Sequence, residues 1–128
     1  MNNWVCANSA CVALISSPYS GSAILLPLTP ENRYTPEIMI CGGSTLTDQD
    51  QSGNFSVFSP TSAQCSRLVL TPAGIAAGWK VEYMPQPRVM LNMVQLPDMR
   101  ILIVNGAHTG LAGYGAVSIL NRLSMLVY

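Results

Sequence analysis

Residues 84–107 read MPQPRVMLNMVQLPDMRILIVNGA, two apolar runs joined by Pro97-Asp98 and closed by Gly106. Pro followed by Asp is a turn signal, and short apolar runs bounded by Pro and Gly read as strands. The stretch therefore predicts a hairpin, with strands over 88–96 and 101–105. An isolated hairpin is marginal in water at best, so this one belongs to a larger sheet.

Outward from that hairpin the same grammar recurs. Apolar residues alternate, or cluster in runs of four to six between Gly, Pro, Asn and Ser, which predicts further strands over 22–28, 36–41, 55–58, 67–70, 79–83 and 125–128. No helical period is sustained, and the one helix-like word, PAGIAA at 72–77, reads as a turn. The fold class expected is all-β.

Laying the first half over the second exposes a repeat. SAILLPLTPENRYTPEIMICGGST pairs with RVMLNMVQLPDMRILIVNGAHT, each a strand, a polar turn, an apolar strand and a small-residue stop. Ile40-Cys41-Gly42-Gly43 and Val104-Asn105-Gly106-Ala107 lie 64 residues apart, longer than the roughly 50-residue kelch period. An insertion such as the polar stretch 46–53 accounts for the excess. Paired glycines after a buried strand fit a chain that turns with φ > 0 or passes close to a neighbour.

Composition bounds the function. The chain has 128 residues, one domain's worth, of which 49% are hydrophobic and 9% charged, with six basic and six acidic residues. Zero net charge and no basic cluster remove the footprint of a nucleic-acid or anionic-membrane binder. No apolar run approaches the roughly 20 residues that cross a bilayer, and 1–17 has no basic n-region, so no signal peptide is visible. Cys6, Cys11, Cys41 and Cys65 include no CxxC, and His108 is the one histidine, which argues against zinc. Cys41 and Cys65 are a candidate disulfide.

The stretch WKVEYMPQPRVM carries the chain from an edge strand into the innermost strand of a next repeat, which resembles a kelch β-propeller. Three words in order, NRYTPEIMICGGST, CSRLVLTPAGIAAGWKVEYMPQPRVM and LPDMRILIVNGAHTGLAGYG, look like the glyoxal oxidase family of copper radical oxidases, relatives of galactose oxidase. The resemblance covers about residues 18–128, with 1–17 as an irregular N-terminal segment. It implies a partial kelch-type β-propeller of about two four-stranded antiparallel blades.

The same resemblance implies a full-length extracellular enzyme that oxidises small aldehydes to carboxylic acids while reducing O₂ to hydrogen peroxide. Such a site holds one copper, a tyrosine radical joined to cysteine by a thioether, a Tyr-His pair and a second histidine. This chain has neither the Tyr-His pair nor a second imidazole, and Cys41 and Cys65 fall at family positions without a copper role. No copper, radical or catalytic residue is therefore expected in this stretch. Two departures stand out: Leu91-Asn92 where Gly-Asp is usual after Arg-Val-Met, and Met99 where a turn glycine is usual.

Other chemistry is thin. Asp48, Asp50 and Ser52, with Gly53, match the start of a calcium loop, but its twelfth position is Ser59 in place of a bidentate Glu. A solvated insertion is the competing reading. His108 reads as loop-tied, and Ser44 and Ser66 lack a GxSxG context. Glu82 and Asp98 fall on different segments and form no carboxylate pair, while Met84, Met90 and Met93 read as packing. The expected function is a piece or truncated relative of a glyoxal oxidase, inactive alone; the alternative is a kelch-type binding or scaffolding module. Open blade edges predict self-association.

Overall fold

The computed structural model describes residues 20–45, 56–110 and 126–127. They form an all-β arrangement of two antiparallel sheets. The first has the order β1 (Ser22–Leu25), β2 (Glu37–Cys41), β3 (Gln64–Val69) and β4 (Lys80–Tyr83); the second has β5 (Asn92–Gln95), β6 (Ile101–Val104) and β7 (Leu126–Val127). Both are meanders in which each strand pairs with the next in sequence. Among the described residues the second sheet has three strands, one fewer than the four expected of each blade.

Register decides which side chains share a face. Met39 stands opposite both Ile24 and Arg67, and Cys41 opposite Cys65, so Ile24, Met39, Cys41, Cys65 and Arg67 project from one side of the first sheet. That side packs on Leu91, Ile101 and Ile103, with Met84 completing the buried cluster and Met93 packed against it. Burying a side chain such as Met39 or Ile103 contributes roughly 1.5–3 kcal/mol. β1 lies against β5 where the sheets meet.

The chain departs from expectation in places that side chains explain. PAGIAA is a helix, α1 (Pro72–Ala77): the Thr71 hydroxyl accepts the Gly74 N–H at 3.0 Å, and Pro72 occupies the first turn, where its missing N–H costs nothing. The strand expected at 55–58 is absent from its described part, because serine hydroxyls close a turn there. Ser59 Oγ accepts the Ser56 N–H at 3.0 Å, Ser56 Oγ accepts the Phe58 N–H at 3.2 Å, and Phe58 is 77% exposed. The strand expected over 88–96 is interrupted at Met90, whose φ is 57° and whose N–H turns aside to Ser20 O at 2.8 Å. Val89 keeps only an isolated bridge to Ala107.

The repeat is real but slips by one residue. Consecutive left-handed residues follow each second strand, Gly42-Gly43 (φ 69° and 100°) and Asn105-Gly106 (φ 62° and 90°), so Asn105 stands for Gly42. Asparagine tolerates this region better than most residues, which lets the second copy dispense with one glycine. Gly42 and Gly106 also face neighbouring backbone. A Cβ on Gly106 would lie 2.6 Å from Val89 O, and one on Gly42 would collide with the Arg88 carbonyl and the Leu91 side chain.

The β5–β6 turn shows what Met99 replaces. Met99 N donates to Leu96 O at 3.1 Å, Leu96 N donates to Arg100 O at 2.8 Å, and Met99 has φ 68°. This is a type I turn followed by a left-handed bulge residue, the position that favours glycine. Met99→Gly is expected to stabilise the chain by about 1 kcal/mol, read as a rise in the guanidinium midpoint. An unchanged or lowered midpoint would show that the 54%-exposed Met99 side chain contributes packing that offsets the backbone strain.

Candidate functional site

The loops 42–45, 56–63, 84–91 and 105–110 meet beyond the strand ends, and Arg88 joins them. Its N–H donates to Ser62 O at 3.0 Å, its carbonyl accepts the Gly43 N–H at 2.9 Å, and its Nη1 donates to Asn105 O at 2.6 Å. Arg88 is 1% exposed, and desolvation pushes its pKa below the usual arginine value. A guanidinium can hold such a buried position without deprotonating, while the backbone of the same residue bonds two further loops. Sequence reasoning passed over it. The available signal was a charged residue set between Pro87 and the buried Val89 in a chain with few charges.

His108 sits in the same cluster, half-buried and loop-tied. Its Nδ1 lies 3.0 Å from Pro87 O, and since a carbonyl only accepts, the proton is assigned to Nδ1. Thr61 Oγ1 donates to His108 O at 2.5 Å, Thr109 Oγ1 donates to Val57 O at 2.7 Å, and Gly110 N donates to Ser59 O at 2.8 Å. The imidazole thus ties 105–110 to 84–91, while the Thr61, Thr109 and Gly110 bonds form a seam between 105–110 and 56–63. Ser44 is fully buried in a bridge with Thr61, and Ser66 Oγ accepts from Gln64 Nε2 at 2.9 Å. Both hydroxyls are buried, away from the solvent from which a substrate would arrive.

A second grouping arises from register alone. Arg67 pairs with Glu82 through Nη2 and approaches Glu37 Oε1 at 3.7 Å through Nη1. All three project on the core-facing side, toward its outer, uncovered half. There a cleft of about 200 Å³ opens between Leu26, Met39, Met99 and Ile101, with the Arg67–Glu82 pair at its polar end. A neighbouring cleft of about 190 Å³ runs under α1 between Val69, Thr71, Ala77 and Lys80. Partly exposed pairs of this kind contribute up to about 1 kcal/mol. The clefts offer apolar walls and a neutral ion pair, a surface suited to packing.

Glu82 and Asp98 are held by different arginines. Glu82 serves Arg67, while Asp98 is held by Arg100 at 2.7 Å through Nε, a hydrogen bond that draws the Asp98 pKa below the ordinary carboxylate value and raises that of Arg100. Met84 is buried in the core, Met93 packs beside it, and Met90 stands apart in its left-handed backbone. Among the described residues, no three His, Cys, Asp or Glu side chains gather where a metal could sit. Asp48, Asp50, Ser52, Cys6 and Cys11 lie outside the described residues. No helix of the described residues is long and apolar enough to cross a membrane.

Cys41 and Cys65 are joined by a disulfide between directly opposed residues of β2 and β3, with S–S 2.03 Å and Cα–Cα 4.1 Å. Both are fully buried.

The family model for the glyoxal oxidase N-terminus matches residues 13–125. The chain belongs to the glyoxal oxidase family. It is 36% identical over 105 residues to the aldehyde oxidase GLOX of Vitis pseudoreticulata, covering 79% of this chain and 18% of that protein. It is 33% identical over 101 residues to the aldehyde oxidase GLOX1 of Arabidopsis thaliana, covering 76% of this chain and 16% of that protein. A WSC domain-containing protein of Arthroderma benhamiae is 36% identical over 98 residues, 77% of this chain and 9% of that protein. This glyoxal oxidase family chain spans less than a fifth of the length of each relative. His108, the chain's single histidine, is preceded by Ala107 and tied to Pro87 O, so it does not match the Tyr-His pair expected from the sequence resemblance.

Proposed function

We propose that the chain is a section of propeller wall from a copper-dependent aldehyde oxidase, inactive by itself because the copper ligands fall outside it. The observation that carries this reading is family membership across residues 13–125 combined with a single, loop-tied histidine. Strand order supports it. The first sheet is a four-strand meander, after which 84–91 returns the chain from edge strand β4 to β5, the strand that lies against β1. That path is the one by which successive propeller blades are wound, inner strand to outer strand and back. In the second blade, β5 and β6 repeat β1 and β2.

The whole protein would take small aldehydes, consistent with the names of its plant relatives, turning aldehyde and water into carboxylic acid while two electrons pass to O₂ to form peroxide. This chain's own residues would hold shape: Arg88 fixing the loop end, the disulfide fixing β2 to β3. The disulfide also favours an oxidising, extracellular setting. The uncovered face that bears the 45%-exposed Leu25 and 70%-exposed Tyr83 would draw copies together in isolation.

The purified 128-residue chain, given copper and glyoxal, is expected to produce no peroxide above the copper-only background and to elute larger than a monomer. Sustained peroxide production would overturn the assignment of the ligands elsewhere. For the whole protein, the flanking reading frame should encode Cys and Tyr before this stretch, and Tyr-His and His after it. A scaffolding module is the second reading, favoured by the exposed apolar Leu25 and Tyr83 on one sheet face. A longer frame without those ligands would decide for it.

A further inference from the structure

The charged residues on the strands of the first sheet, Glu37, Arg67, Lys80 and Glu82, all project on the side that meets the second sheet. The opposite side carries Leu25, Ile38, Ile40, Leu68, Val81 and Tyr83, and no charge. Its two polar residues, Gln64 and Ser66, bond to each other. An antiparallel sheet with one face in water turns its polar residues to that face, so this apolar side is built to be covered. Yet Leu25 and Tyr83 stand 45% and 70% exposed, and no described element packs on it, the helix α1 touching β3 from the charged side.

The repeat identifies what fits there. With Asn105 standing for Gly42, Ile101 and Ile103 take the places of Ile38 and Ile40, while Leu102 and Val104 take those of Met39 and Cys41. The interface inside the chain buries Met39 and Cys41 of the first sheet with Ile101 and Ile103 of the second. The sides that no described element covers hold Ile38 and Ile40 on the first sheet, and Leu102, Val104 and the 47%-exposed Val94 on the second. They are the same two half-interfaces, exchanged. We propose that a second copy of this chain docks head to tail, the outer side of its second sheet on the outer side of the first, repeating the internal interface between molecules. Leu102 and Val104 of one copy then lie over Ile38 and Ile40 of the next. A contact between unlike faces leaves one of each kind open at the ends, so growth stops only when a ring closes. Propellers close at four to eight blades, which sets a ring of about two to four copies. The inference rests on the reading of the chain as propeller wall.

Sedimentation over a range of concentrations should show the 128-residue chain at about two to four times the monomer mass. Ile38→Lys spoils one side and Val94→Lys the other, so each variant alone should sediment as a monomer. Mixed, the two retain one intact pair of unlike faces and should form a one-to-one complex that grows no further. An unchanged thermal midpoint shows that each variant has folded; if Ile38→Lys melts early, Leu25→Lys replaces it at an exposed position on the same side. Val94→Lys assembling like the wild type would overturn the proposal, since packing of the first sheet on its own copy predicts that result. A mixture that stays monomeric would overturn it as well. So would a wild type that is monomeric at every concentration, which leaves both sides covered within one copy. The same wild-type sample is given copper and glyoxal: peroxide would overturn the propeller-wall reading whatever the mixture does, and a failed mixture without peroxide overturns the docking alone.

Discussion

Replacing Cys41 and Cys65 together by alanine is expected to lower the stability of the chain by about 3–4 kcal/mol. The two residues are 24 apart in sequence and directly opposed across β2 and β3, so the bond closes a loop that the unfolded chain would otherwise leave free. Loop closure of that length removes about 12 cal/mol/K of denatured-state entropy. Both cysteines are fully buried, so some packing is lost as well. Guanidinium unfolding should show a lower midpoint and a steeper slope, because the unlinked denatured chain exposes more surface. Cys41→Ala alone should behave as the double variant does, since either change opens the loop. A double variant with an unchanged midpoint would mean that the β2–β3 ladder holds without its cross-link.

Arg88→Ala is expected to cost about 3–4 kcal/mol, combining the loss of a charge-assisted hydrogen bond with the cavity left by a large buried side chain. The guanidinium bonds to Asn105 O at 2.6 Å, the residue that opens the left-handed pair after β6. Without it, the Asn105 carbonyl loses its donor and the loop 105–110 loses one of its ties to 84–91. Arg88→Met separates the two contributions: it fills much of the volume and should recover about half of the loss. A cost below about 1 kcal/mol for Arg88→Ala would show that the backbone bonds to Ser62 and Gly43 suffice. Combined with the cysteine replacements the effects should not simply add, because Gly43, which donates to Arg88 O, is two residues from Cys41.

How much of this was legible beforehand follows from the range of the interactions. Strand alternation is a local signal, so β2, β4 and β6 lie where the apolar runs place them, to within a residue. The winding of one repeat into the next was also readable, since Trp79 to Arg88 is a single continuous word. Where a side chain competes with the backbone, pattern reading failed. Serine hydroxyls made a turn of 56–59, and the Thr71 cap made a helix of six residues, a length that composition alone assigns to a turn. Met90 could not be anticipated, because the Ser20 carbonyl that its N–H meets is seventy residues away.

The candidate site divides in the same way. That one histidine cannot build a two-imidazole centre needs only a count. The Arg67–Glu37–Glu82 grouping needs register: three residues from three strands meet because Met39 pairs with Arg67 and Cys65 with Glu82. Nothing in their spacing along the chain suggests it. Arg88 was overlooked because arginines are mostly found outside, and only the close approach of four loops makes a buried one tenable.

The Cys41–Cys65 bond makes residues 41–65 a closed covalent ring. A ring changes what a break in the main chain means. Cutting one peptide bond within 42–64 linearises the ring but leaves the two halves of the molecule joined, so the strands on either side stay partners at fixed separation. That interval is therefore a place where new sequence can be spliced, or old sequence severed, while the connectivity of the sheet survives in sulfur.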